Sequence, residues 1–191
     1  MSIFLALLHH PVLTRHGDVG STAVTNVDMH DISRAGRTYG VQRFFIVTPI
    51  QLQQELCERV VRHWTEGRGQ RNHNRAQAFA LIELANTLQD AVDRVTAISG
   101  KKPLVVVTGA RFGEGDTPFS KMRELIKEDA QPVLLLLGTG WGLAPEVVDV
   151  ADYQLPAIIG PEGPDGYNHL SVRSAAAILM DRLLGSERGT S

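Results

Sequence analysis

The chain has 191 residues, 43% of them hydrophobic and 21% charged, with a net charge of −2. That length supports one sizeable core, read as a single domain over residues 1–191. The near-neutral charge excludes a protein that coats nucleic acid non-specifically, and the lone Cys57 excludes an internal disulfide framework.

The opening stretch MSIFLALLHHP has no basic leader and no small-residue cleavage site, so Ile3–Leu8 reads as a buried strand. No apolar run reaches the length of a membrane span, and a reducing cytoplasmic setting is expected. Residues 9–20 read as a turn-rich loop and Ser21–Asn26 as a short second strand. Asp28 is placed to cap a helix in which Ile32, Ala35, Gly36 and Tyr39 recur at helical spacing before Gly40. Arg43–Pro49 reads as a strand. From Gln51 to about Glu66 an amphipathic helix is expected, with Leu52, Leu56 and Val60 inward. Residues 67–75 read as a flexible basic connection, followed by helical patterns over 76–85 and 87–99.

Leu104–Ala110 reads as a strand ending in a glycine turn, and Phe119–Asp129 as a helix. The run Val133 to Leu137 is apolar without alternation, as in a central strand of a parallel sheet. It enters Gly138-Thr139-Gly140-Trp141-Gly142, where glycines permit positive φ and close approach of backbone to a ligand. A second apolar stretch, Leu155–Gly160, is followed by a Gly/Pro turn. A helix then runs from an Asn168 cap to Gly185, with Val172, Ala176, Leu179 and Leu183 on one face. Strands alternating with helices make this an α/β protein with a mainly parallel sheet flanked by helices.

Three segments in fixed order carry a resemblance: Gly138 to Leu143, Leu155-Pro156-Ala157-Ile158-Ile159-Gly160, and Asn168 to Ala176 with its Ser171 and run of small residues. The layout resembles the C-terminal half of the SPOUT superfamily of RNA methyltransferases, most strongly over residues 104–185. The resemblance implies a C-terminal deep trefoil knot, a topology that physical rules alone would not propose. It also implies S-adenosyl-L-methionine as cofactor, a homodimer and an RNA substrate such as tRNA or rRNA. The cofactor residues implied are Leu137, Gly138, Thr139, Gly140, Gly142 and Leu143 on the first loop and Ile158, Ile159 and Gly160 on the second. Asn168, His169, Leu170 and Ser171 belong to the third, and Thr108 and Gly109 would form a further wall. The small residues of the last helix, Ala176 among them, are the implied dimer contact.

Several members of that superfamily carry an early arginine followed at a spacing of R-x(5)-G by glycine. Arg34 and Gly40 fit, with Asn26 or Asp28 in the preceding Asn region, and Arg37 is the alternative catalytic arginine. A guanidinium suits a phosphate because its planar fork donates two parallel hydrogen bonds.

Arg68, Arg71 and Arg75, with Arg15 further back, are candidate RNA contacts. Trp64 and Trp141 are candidate stacking platforms, with core packing as the alternative. His9, His10, His16 and His30 are crowded but match no zinc spacing, so no metal is expected, and they are assigned to a polar loop. Two other functions compete with RNA methylation. One is a nucleotide-binding α/β protein with no RNA role. The other is a degenerate SPOUT protein that binds RNA without methylating it.

Overall fold

Ile3–Leu8 (β1) and Val133–Gly138 (β7) pair with each other at the centre of the sheet, so both faces of each are covered and neither strand alternates. The computed structural model describes residues 2–113, 115–161 and 166–186. Around that central pair lie Arg43–Val47 (β4), Ile82–Ala85 (β5), Leu104–Val107 (β6) and Tyr153–Gln154 (β8), all parallel, in the order β5-β4-β1-β7-β6-β8. A small antiparallel hairpin, Val12–Leu13 (β2) with Val19–Gly20 (β3), follows β1.

Alternate side chains of the strands build two cores. One face gathers Ile3, Leu5, Leu7, Phe44, Ile46, Leu135 and Leu137. It is covered by Asn26–Thr38 (α1), Gln51–Thr65 (α2), His73–Phe79 (α3), Phe119–Glu128 (α5) and Val172–Leu184 (α7). The other gathers Phe4, Ala6, Leu8, Phe45, Leu134 and Leu136 under Leu88–Ser99 (α4) and Pro145–Asp149 (α6). The expected apolar face of α7 holds, since Ala176, Leu179 and Leu183 are buried and Val172 packs against them.

The helices α1 and α7 run side by side in the same direction. Near their starts Arg173 pairs with Asp28 at 3.3 Å, and at their ends the Tyr39 hydroxyl donates to Asp181 at 2.8 Å. The Asp181 carboxylate, by accepting that hydrogen bond, raises the Tyr39 pKa.

Several expectations are corrected. Residues 21–25 form no strand. They lead into α1, whose N-cap is Thr25 accepting from the Asp28 N–H, so Asp28 is the first-turn acid and not the cap. The pattern over 76–85 splits into the end of α3 and the strand β5, because the apolar run Leu81–Ala85 is short enough to pair beside β4. Residues 67–75 are a 3-10 turn, Arg68–Arg71, and the start of α3, not a flexible connection. On α2, Leu52 and Leu56 are 76% and 52% exposed, and it is Cys57, Val60, Val61 and Trp64 that face the core. Leu155–Gly160 is irregular, with β8 just before it. The helix α7 is capped by Ser171.

Candidate active site

Helix α1, which follows β1, covers one face of the sheet, while α6, which follows β7, covers the other. The connections therefore diverge, and a crevice opens between the carboxyl ends of β1 and β7, where ligands of open α/β sheets bind. The first loop, residues 138–143, stands on that crevice.

Its backbone is anchored to the β2–β3 hairpin. The Trp141 N–H donates to the Leu13 carbonyl at 3.1 Å, and the Leu13 N–H donates to the Gly142 carbonyl at 2.9 Å. Gly140, at φ +60°, abuts this hairpin: a Cβ there would lie 3.0 Å from a Thr22 methyl and 3.1 Å from the Leu13 carbonyl oxygen. Gly142, at φ +106°, has nothing within 4 Å of that position, so the side of its backbone that a side chain would cover is empty, while its N–H and carbonyl are paired with Thr139 and Leu13. So the hairpin requires glycine at 140, and the open approach lies at 142. Thr139 points back into the protein, its hydroxyl donating to the Leu8 carbonyl at 2.8 Å. Leu143 is buried under the turn, while Trp141 is 53% exposed with the Arg111 guanidinium 5.6 Å from its ring centroid.

The second and third loops are stapled together by one side chain. The Asn168 amide donates to the Ile158 carbonyl at 2.9 Å and accepts from the Gly160 N–H at 3.0 Å. Ile159 and Leu170 are left 62% and 42% exposed, Ile158 is part-buried against the core, and His169 is exposed. At the end of β6, the Thr108 hydroxyl donates to the Leu136 carbonyl at 3.1 Å, and Gly109 abuts the Phe112 ring. The second loop crosses the segment after β6, where the Ala157 N–H donates to the Gly113 carbonyl at 2.8 Å. The exposed large apolar side chains of the three loops are Trp141 on the first, Ile159 on the second and Leu170 on the third.

Beside these loops, a shallow groove of about 490 Å³ runs between α1 and α7, lined by Asp31, Arg34, Ala35, Thr38, Arg173, Ser174 and Ala177. Arg34 lines it and is paired with Asp31, which also lies 3.7 Å from Arg173. Arg37 is exposed outside the groove lining. Ala176, implied as a dimer contact, is 1% exposed and faces the sheet, so the outward small residues are Ser174 and Ala177.

Of the candidate RNA contacts, Arg68 and Arg71 are exposed on the 3-10 turn and Arg15 lies in the hairpin loop. Arg75 is different: its guanidinium sits 4.7 Å from the Trp64 ring centroid. Trp64 packs against His30 and Phe79, and burial with the nearby Arg75 and Arg34 lowers the His30 pKa. Trp64 is thus a packing residue, and Trp141 is the exposed tryptophan. The early histidines do not share a polar loop. His30 lies on α1, and His9 is 1% exposed at the end of β1.

Sequence reading missed His9, Thr22 and Arg173. The signal for His9 was available in principle, since it follows β1 just as Thr139 follows β7, and strand ends flanking a switch point carry function.

Comparison with known proteins accords with this geometry. A family model described as SAM-dependent RNA methyltransferase matches residues 2–185. A protein of Nitratidesulfovibrio vulgaris named tRNA (guanine-N(1)-)-methyltransferase is 44% identical over 186 residues, covering 96% of this chain but 42% of its own length. The chain thus spans about two fifths of that relative. An uncharacterized protein of Aquifex aeolicus is 35% identical over 188 residues, covering 98% of this chain and 90% of its own. Among solved structures, the SpoU methyltransferase AviRb of Streptomyces viridochromogenes, in complex with AdoMet, superposes with a TM-score of 0.57 at 15% identity, over 95% of this chain and 56% of that one. The SPOUT-like α/β fold and the near full-length family match lead to one conclusion: the chain belongs to the family of S-adenosylmethionine-dependent RNA methyltransferases.

Proposed function

We propose that this chain methylates RNA from a site formed by residues 138–143, 155–160 and 168–171, with Arg34 engaging the substrate and tRNA as the RNA. The observation that carries it is that β7, β6 and β8 lie side by side and parallel, so the first and second loops leave the same edge of the sheet, with the third stapled to the second by Asn168. S-adenosylmethionine, when bound, supplies a methyl group already activated on a sulfonium, so the protein's contribution is mostly positioning. Trp141 and Arg111 offer a ring and a cation beside the first loop, and Arg15, Arg68 and Arg71 offer phosphate contacts.

The name of the N. vulgaris relative supports tRNA as substrate. More than half of that relative lies outside the matched segment, so its guanine-N1 specificity is not carried over. The contacts of Gly113, Gly115, Asp116 and Thr117 with residues 154–157 support a threaded, knotted path. The groove between α1 and α7 supports a homodimer in which a second copy covers Ser174 and Ala177, and a cytoplasmic setting fits an enzyme of tRNA.

Calorimetry against S-adenosylhomocysteine and NAD, with labelled methyl incorporation into total RNA, tests the reading. Incorporation with S-adenosylhomocysteine binding upholds it. Binding without incorporation on any RNA favours the degenerate form, and binding of NAD instead favours the nucleotide-binding alternative.

Arg34→Ala is expected to lower methyl transfer about 10- to 100-fold, the loss of one charge-assisted contact of about 1.5–3 kcal/mol. Affinity for S-adenosylhomocysteine should stay unchanged, because Arg34 lines the groove between α1 and α7 and not the loops proposed to hold the cofactor. Arg37→Ala should retain activity, and full activity in Arg34→Ala would remove α1 from the site.

Ala177→Glu should give a folded monomer in light scattering, because an unpaired carboxylate is costly only at a covered interface. Ala176→Glu should instead fail to fold, since that residue lies in the core. A dimeric Ala177→Glu protein would place the interface elsewhere.

A further inference from the structure

His9 is 1% exposed, and its ring Nδ1 lies 3.0 Å from the Thr22 hydroxyl oxygen. That oxygen contacts the Thr139 hydroxyl oxygen, which lies 2.8 Å from the Leu8 carbonyl. The directions of these bonds follow from one fact: a carbonyl only accepts. Thr139 therefore gives its single proton to Leu8 and accepts from Thr22. Thr22, having given its proton to Thr139, accepts from His9, so the ring proton sits on Nδ1. The other nitrogen, Nε2, is buried without a hydrogen-bond partner among the described residues. Burial pushes the ring pKa down to about 4 against the raising effect of Asp28, so the ring is neutral at physiological pH.

This relay joins three distant segments. His9 directly follows the central strand β1, Thr22 follows the hairpin that backs the first loop, and Thr139 lies at the start of that loop. The Trp141–Leu13 and Leu13–Gly142 hydrogen bonds hold the outer part of the loop. The relay holds its inner end.

We propose that His9 is a positioning residue for the methyl-transfer site: its Nδ1–H, through Thr22 and Thr139, fixes the 138–143 loop in the form that receives the cofactor. This rests on the reading that this loop holds S-adenosylmethionine. The ring does not touch the reacting atoms. Its contribution is to supply one buried donor in a fixed direction, and without it the Thr22 hydroxyl oxygen is left part-buried with no donor and is held only through Thr139, so the Thr22–Thr139 contact that backs the loop loses its outer anchor.

Two measurements test this. In ¹⁵N-labelled wild-type protein at neutral pH, two-bond ¹H–¹⁵N correlations should show His9 with its proton on Nδ1, the minority tautomer of a free histidine. Calorimetry with S-adenosylhomocysteine should show His9→Leu and Thr22→Val each about tenfold weaker than wild type, with the double variant no weaker than either single. His9→Asn, whose amide nitrogen takes the place of Nδ1–H, should bind within about threefold of wild type. A proton on Nε2, wild-type affinity in His9→Leu, or equal losses in His9→Asn and His9→Leu would each overturn the role of His9. A wild-type protein that binds no S-adenosylhomocysteine would overturn the cofactor reading beneath it, a distinct result. If His9→Leu fails to fold, the tautomer and Thr22→Val still decide.

Discussion

Gly115→Ala is expected to destabilise the protein by about 2–5 kcal/mol and to abolish binding of S-adenosylhomocysteine. Gly115 has φ +64°, where an alanine costs about 1–2 kcal/mol. Its Cβ would also fall 2.6 Å from the Pro156 nitrogen and 2.7 Å from the Gln154 carbonyl oxygen. Both are backbone atoms, so no side chain can rotate away, and forced displacement adds about 1–3 kcal/mol. The displaced contact is a dense one. The Asp116 and Thr117 N–H groups both donate to the Gln154 carbonyl, at 3.0 and 3.1 Å, and the Gln154 N–H donates to the Asp116 carboxylate at 2.8 Å. The second loop leaves directly from this crossing, so its position goes with it. Gly113→Ala is the control: its φ is +59°, but a Cβ there meets nothing within 4 Å, so only the backbone cost of about 1–2 kcal/mol is expected. Urea denaturation of both variants measures the difference, and equal losses would mean that the crossing tolerates a methyl group.

Acid should unfold this protein partly through His9. In the folded state its pKa is lowered from 6.5 to about 4 by burial, with the Asp28 carboxylate of α1 opposing the shift and Arg173 of α7 paired to that carboxylate. Above pH 6.5 the ring is neutral in both states and contributes no pH dependence. As pH falls below 6.5 the unfolded chain takes up the proton and the folded chain does not, so stability drops until the ring protonates in place near pH 4. The full difference of about 2.5 pH units corresponds to about 3–4 kcal/mol at about 1.4 kcal/mol per unit, about 3 of it realised by pH 4. Denaturant titrations at pH 7 and pH 4 should show that loss in wild type and a loss smaller by about 3 kcal/mol in His9→Asn, whose side chain does not titrate. Identical pH dependence in the two proteins would mean that His9 is not buried neutral. The difference between the proteins is the informative quantity, because Asp90, whose pKa is lowered by its hydrogen bond from Arg94, also loses stabilisation in acid.

Sequence alone went far where a local pattern has one physical solution. The unbroken apolar runs of β1 and β7 are compatible only with strands covered on both faces, and they pair at the sheet centre. Ile32, Gly36, Leu179 and Leu183 fell on buried helix faces because helical periodicity leaves no other side for them. It failed where two patterns overlap. Leu81–Ala85 extends the apolar pattern of α3 but is claimed by the open edge of β4, and strand pairing is decided by a distant neighbour. On α2 the leucines suggested the wrong inward face, because Gln53 is drawn in to donate to the Thr22 carbonyl and to accept from the Val24 N–H.

For the site, the order of the three loops was legible because glycine and proline punctuate the chain locally, and the family resemblance reads that order. The partners of those loops were not. Which side of Gly140 is filled depends on a hairpin more than a hundred residues away in sequence, and that Arg34 lines the groove while Arg37 lies outside it depends on which side of α1 meets α7. His9 looked like one more surface histidine until β1 and β7 were adjacent and Thr22 and Thr139 closed over it. The sequence by itself determined the two central strands, the buried faces of α1 and α7 and the three turns, since each is set by side-chain spacing and backbone freedom within a few residues. Only the tertiary structure decided what those turns rest on, because contacts between segments far apart in the chain depend on strand order and helix placement, which no local spacing encodes.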